Sequence, residues 1–188
     1  MARSRLSGLL VVLTLGVAAA ADAQPYLYEG LLTAHIGTSQ GGEVQGASTT
    51  GGGSLAVLDL NGFGAEIEIA HFGDFDDELF SDSSVTNFAL SFMYAYPHEH
   101  MRPFLVAGVG AVRLRATPLA GPSTSSHTEA AYNVGAGLLF MANGIFGIRA
   151  DVRYVRLFTG VEDLALRGDD FFDYWRTSVG VTLSWPMR

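Results

Sequence analysis

The chain has 188 residues, 48% of them hydrophobic, with 23 glycines, no cysteine and a formal charge of −8. That length suits one domain. The missing cysteine excludes a disulfide framework and thiol chemistry, and the acidic balance excludes a nucleic-acid partner, because neutralising phosphates needs a basic face.

The first element in the chain is a targeting segment. Arg3 and Arg5 make a basic n-region, Leu9 to Val17 an apolar h-region, and Ala21-Asp22-Ala23 a small-x-small cleavage site. Residues 1–23 are therefore expected to be a secretory signal peptide, with 24–188 as the single mature domain. Beyond it no apolar run approaches the roughly 18 residues of a membrane helix.

The mature chain alternates in character with a period of two. Strands are predicted over 26–37, 53–61, 64–73, 84–96, 103–115, 128–141, 145–158 and 173–185. Their connections alternate too. Strands one, three, five and seven lead into long polar segments, 39–52, 74–83, 116–127 and 159–172. Strands two, four and six lead into short ones: Asn61-Gly62, the run PHEHMR, and Asn143-Gly144. Asn-Gly is a strong hairpin-turn signal. Long loops at one end and tight turns at the other form the pattern of an outer-membrane barrel.

The two faces of each strand point the same way. In FGIRADVRYVRLF, residues 146–158, one parity carries Ile148, Ala150, Val152 and Tyr154, and the other Arg149, Asp151 and Arg153. Strand four sets Phe88, Leu90, Phe92, Tyr94 and Tyr96 against Asn87, Ala89, Ser91 and Met93. Strand eight sets Trp175, Val179, Val181, Leu183 and Trp185 against Arg176, Ser178, Gly180, Thr182 and Ser184. A soluble barrel wants its large apolar groups inside. Here the rich face carries aromatics where interfacial girdles would sit, so lipid is its better partner. The fold class is all-β: an eight-stranded antiparallel up-and-down transmembrane β-barrel.

In PFLVAGVGAV at 103–112, YNVGAGLLF at 132–140, GIRADVRY at 147–154 and the last strand, the chain resembles the small eight-stranded outer-membrane barrels of the OmpA and OmpX type. The resemblance implies residence in the outer membrane, among its lipid. It also implies delivery by the barrel-assembly machinery, through a C-terminal signal matched here by Gly180, Leu183 and Trp185. The family usually ends at that aromatic, whereas this chain continues with Pro186-Met187-Arg188.

By parity, Glu66, Glu68, Arg149, Asp151, Arg153 and Arg176 face inward. Eight strands enclose room for side chains only, so these charges are expected to pair into a plug. Inward glycines 108, 110, 135 and 137 are expected to make room for the arginines. A narrow solute or ion channel of porin-like kind is the alternative function. A lipid-A-modifying enzyme built on His71 or on His127 near Ser125 and Ser126 is a weaker one, since neither histidine sits in a matching motif. The acidic runs at 74–82 and 162–170 read as solvated loops; they lack the EF-hand spacing of a calcium site. His98-Glu99-His100 holds too few ligands for a metal site. Arg167-Gly168-Asp169 reads as a chance tripeptide. The expectation is a monomeric, non-enzymatic barrel without cofactor or metal, meeting an extracellular surface partner through its loops.

Overall fold

A computed structural model describes residues 27–42, 44–73, 80–118, 125–158 and 172–187. The signal segment, the acidic residues at 74–78 and 162–170, and with them the Arg167-Gly168-Asp169 tripeptide, lie outside the described residues. Eight strands run in chain order: β1 (Tyr28–Gly41), β2 (Val44–Asp59), β3 (Phe63–Gly73), β4 (Phe80–Ala95), β5 (Met101–Pro118), β6 (Ser125–Met141), β7 (Phe146–Leu157) and β8 (Asp173–Met187). Each pairs antiparallel with its neighbour in sequence, and β8 closes on β1 to complete a barrel. Closure removes both free edges, the only way a sheet satisfies its backbone polar groups in lipid.

The start of β1, the end of β8 and the three short connections share one end of the barrel. At Asn61-Gly62 the Asp59 carboxylate accepts from the Asn61 and Phe63 amides at 2.9 and 2.8 Å, and Gly62 takes φ 87°. The second Asn-Gly turn uses Asn143 Oδ1 in the same way, accepting from the Phe146 amide at 2.8 Å. A side chain that mimics a backbone acceptor, beside a residue free to adopt positive φ, is what makes this dipeptide turn.

At the other end the structure departs from the sequence expectation. Segment 39–52 is not a loop: β1 and β2 stay paired up to Gln40↔Ala47 and reverse tightly around Gly41 and Gly42, both at positive φ. β4, β5 and β6 also reach into the predicted loops, starting at Phe80, ending at Pro118 and starting at Ser125. Polar Ser, Thr and Gly mark a loop when apolar alternation is the criterion. Here the hydrogen-bond ladder to the partner strand extends such residues, with Val44 alone joining the buried apolar cluster.

In and out are sharply divided. Phe104 is 2% exposed and the next residue, Leu105, 61%. The outward face is an apolar band bordered by aromatic contacts. Phe63 meets Tyr94 at a centroid separation of 4.6 Å near the end with the tight turns. Tyr154 meets Trp175 at 5.1 Å, and Tyr132 meets Phe158 at 5.5 Å, toward the other. On β5 the band runs from Met101 to Ala111. At about 3.3 Å per residue and a tilt of about 40°, that spans roughly 25 Å, the apolar height of an outer-membrane barrel.

Candidate functional site

The lumen is stacked in three layers. Toward the tight-turn end Leu31, Leu58, Met93, Phe104, Leu139 and Met141 belong to one apolar cluster. Toward the other end Phe72, Val85, Leu114, Leu157, Phe172 and Tyr174 belong to a second. These apolar ends differ from the small, polar or charged inner face read from alternation. The reason is volume: away from the charges, the lumen must still be filled to near-crystalline density.

Between the clusters lies the charge layer. Glu66 and Glu68 come from β3, Arg149, Asp151 and Arg153 from β7, and Arg176 from β8. All six are at most 5% exposed. β3 is not hydrogen-bonded to β7 or β8, so its carboxylates cross the lumen. Glu66 bridges two arginines, Arg149 and Arg153. Glu68 takes Arg176 in a fork, at 2.8 and 2.7 Å, and also lies 3.4 Å from Arg153. Asp151 accepts from Arg149 Nε at 3.0 Å and from the Ser178 hydroxyl at 3.0 Å. Three guanidinium groups thus meet three carboxylates, and the layer is electrically neutral.

Neutrality matters because an uncompensated charge buried here would cost several kcal/mol. Hydrogen bonding is less complete than charge pairing: Arg149 Nη2, Arg153 Nε and Nη1, Arg176 Nε and His35 Nε2 are buried without a hydrogen-bond partner. The Arg149 guanidinium also stacks over the Phe104 ring, 4.4 Å from its centroid. That contact ties the charge layer to the apolar layer beside it.

Two of the four inward glycines make the expected room. A Cβ on Gly135 would lie 2.7 Å from Arg153 Cγ, and one on Gly137 would collide with the Phe104 ring on which Arg149 stacks. The atoms nearest Gly108 and Gly110 belong to β4 rather than to an arginine. The reason is position, since the arginines lie on β7 and β8, across the barrel from the β4–β5 seam.

Sequence reading placed Ser91 and Thr182 on the inner face but passed over the polar residues of β1. Thr33 and Thr182 share a hydrogen bond of 2.9 Å, and Ser91 donates to Asn133 at 3.1 Å. His35 stands in the same layer, against Gly52 and Gly180. The signal was available in β1, where Thr33, His35 and Ser39 occupy the parity opposite Leu32, Ala34 and Ile36. A separate cluster lies at the tight-turn end, where Glu29 accepts from Arg102 and from Ser184, each at 2.5 Å.

The family model for the outer membrane protein β-barrel domain matches residues 7–186. The chain belongs to that family. It is therefore an outer-membrane protein, with its tight turns in the periplasm and the opposite end outside the cell. No curated protein sequence matches it.

Solved barrels share the fold at low identity. Neisserial surface protein A is 15% identical, with a TM-score of 0.63 over 83% of this chain and 96% of that chain. Ail, the attachment invasion locus protein of Yersinia pestis, in complex with the heparin analogue sucrose octasulfate, is also 15% identical. Its TM-score is 0.57, over 86% of this chain and 100% of that one. The N-terminal barrel of Pseudomonas aeruginosa OprF gives 16% identity and a TM-score of 0.53 over 86% and 100%.

The remaining candidates occupy separate places in this outer-membrane barrel. His71 faces outward on β3, its Nδ1 2.9 Å from Thr86 Oγ1. His127 is not in a loop: it lies in β6, opposite Leu114. Its parity is that of Ala131 and Asn133, so it faces the lumen. The two histidines thus lie on opposite faces of the sheet, and no single site can use both. His98, Glu99 and His100 are exposed in the periplasmic turn. Among the described residues no group of three His, Asp or Glu side chains is arranged to hold a metal.

Proposed function

We propose that this protein is a non-conducting, non-enzymatic outer-membrane barrel whose work is done at its extracellular end, as a monomer held in outer-membrane lipid. The observation that carries the reading is the sandwich in the lumen: a neutral layer of paired charges lies between two apolar layers. An ion crossing the barrel would have to shed water against Phe72, Leu114 and Tyr174 and again against Leu58, Phe104 and Leu139. Desolvation of that kind costs several kcal/mol at each step. A lumen filled in this way supports the barrel and leaves surface contact to the strands and loops outside.

Ail, a barrel of the same fold, was solved with a heparin analogue, which makes an extracellular ligand a reasonable use of this architecture. The enzyme reading finds less support. The His71–Thr86 pair is a histidine and a hydroxyl on a lipid-facing sheet, and a hydrolytic triad also needs an orienting acid.

Single-channel recording tests the proposal. The refolded protein in planar bilayers should give no current steps above leak. Reproducible steps whose size changes in Arg153→Ala would establish the channel reading instead.

A further inference from the structure

Four adjacent strands change character at one rung on the lipid-facing side. Up to Ile69, Phe88, Ala111 and Ala130, which lie side by side across β3 to β6, the outward face is apolar. The next outward rung is His71, Thr86, Arg113 and Thr128. The one after it sets Arg115 between Ser84 and Ser126. Arg113 and Arg115 are both exposed.

These two arginines differ from the others described. Arg102, Arg149, Arg153 and Arg176 are in ion pairs, and Arg156 is engaged by its neighbours. No ion pair to a described residue involves Arg113 or Arg115. They sit at the upper margin of the apolar band, where acyl chains give way to headgroups, and a guanidinium at that depth is drawn to the anionic groups of the lipid. Each has a hydroxyl residue on either side, and the two rungs contain no carboxylate; Asp82 occupies the next rung out on β4, opposite Thr117. Two arginines whose Cα atoms stand about 7 Å apart along one strand, with hydroxyl residues about 5 Å away on the neighbouring strands, offer the kinds of donor that phosphate oxygens take.

We propose that Arg113 and Arg115, with the flanking hydroxyls of Thr86 and Thr128, form a binding site on the outer wall of the barrel for the phosphate of an outer-leaflet glycolipid. Its acyl chains lie along Phe88 and Val109 directly below. Continuity with the apolar band favours a lipid over a soluble polyanion. So does the charge of the chain, −8, which repels polyanions from solution but does not hinder a headgroup delivered within the membrane plane.

The test uses the refolded chain in phosphatidylcholine bicelles, titrated with diphosphorylated lipid A, dephosphorylated lipid A, inorganic phosphate and sucrose octasulfate. Arg113→Gln/Arg115→Gln is compared with wild type and with Arg156→Gln, and a heat-dependent gel shift verifies that each variant is folded. Diphosphorylated lipid A should bind wild type and Arg156→Gln alike. Removing its phosphates, or both arginines, should weaken binding at least about tenfold. Equal binding of the dephosphorylated lipid, or of the folded double variant, would overturn the site. Binding of inorganic phosphate or sucrose octasulfate as tight as that of the lipid would overturn its lipid identity in favour of a soluble anion.

Discussion

Arg176 and Glu68 meet through two parallel hydrogen bonds in a space with almost no access to water. The pair is held by mutual need more than by net gain, since desolvating both ions offsets most of their attraction. Arg176→Met should therefore destabilise the barrel by about 3–5 kcal/mol, because Glu68 is left with only the longer contact to Arg153. Glu68→Met should cost a similar amount, and the double substitution less than the sum of the two. Urea unfolding from lipid bilayers measures all three; strict additivity would show that the two side chains act independently. That these charges point inward follows from strand parity alone. Which carboxylate meets which arginine does not, because Glu66 and Glu68 reach across the lumen to strands that are far from theirs in the pairing order.

Among the strands, β8 does not stop at Trp185: it continues through Pro186 to Met187, which pairs with Tyr28 of β1. The Trp185 ring lies over Gly30, where a Cβ would collide with it. It thus covers the β1–β8 seam at the periplasmic interface, where an aromatic anchor belongs. With Gly180 and Leu183, Trp185 is our proposed assembly signal. Trp185→Ala should lower the yield of membrane-inserted protein several-fold more than Trp175→Ala, measured as the heat-modifiable fraction in outer membranes. Equal yields would remove the reason to treat this stretch as a signal. At the other end of the barrel, the β1–β2 ribbon shows where reading elements from alternation fails. Apart from Val44 and Ala47 its residues are polar or glycine, and pairing with a partner strand makes them extended.

For the molecule as a whole, the filled lumen and the lipid-facing band fit the surface role proposed above. Export is the first step. We expect cleavage after Ala23, giving a mature chain that begins near Gln24, fractionates with the outer membrane and migrates differently on gels before and after boiling. N-terminal sequencing of the membrane fraction checks the cleavage site. Recovery of the protein as a soluble periplasmic monomer would refute the expectation.

Period-two alternation, the two Asn-Gly turns and the opposed faces of strands such as β7 determined, from sequence alone, a membrane barrel and the inward aim of its six charges. These are local properties: each follows from neighbouring residues and the pleat of a strand. Tertiary structure alone decided the partners of those charges, the two apolar layers that enclose them, the extended ribbon at 39–41 and 44–52, and the polar rung that Arg113 shares with three other strands. Each of these depends on register and closure, which bring together residues from distant parts of the chain, and no single strand carries that information.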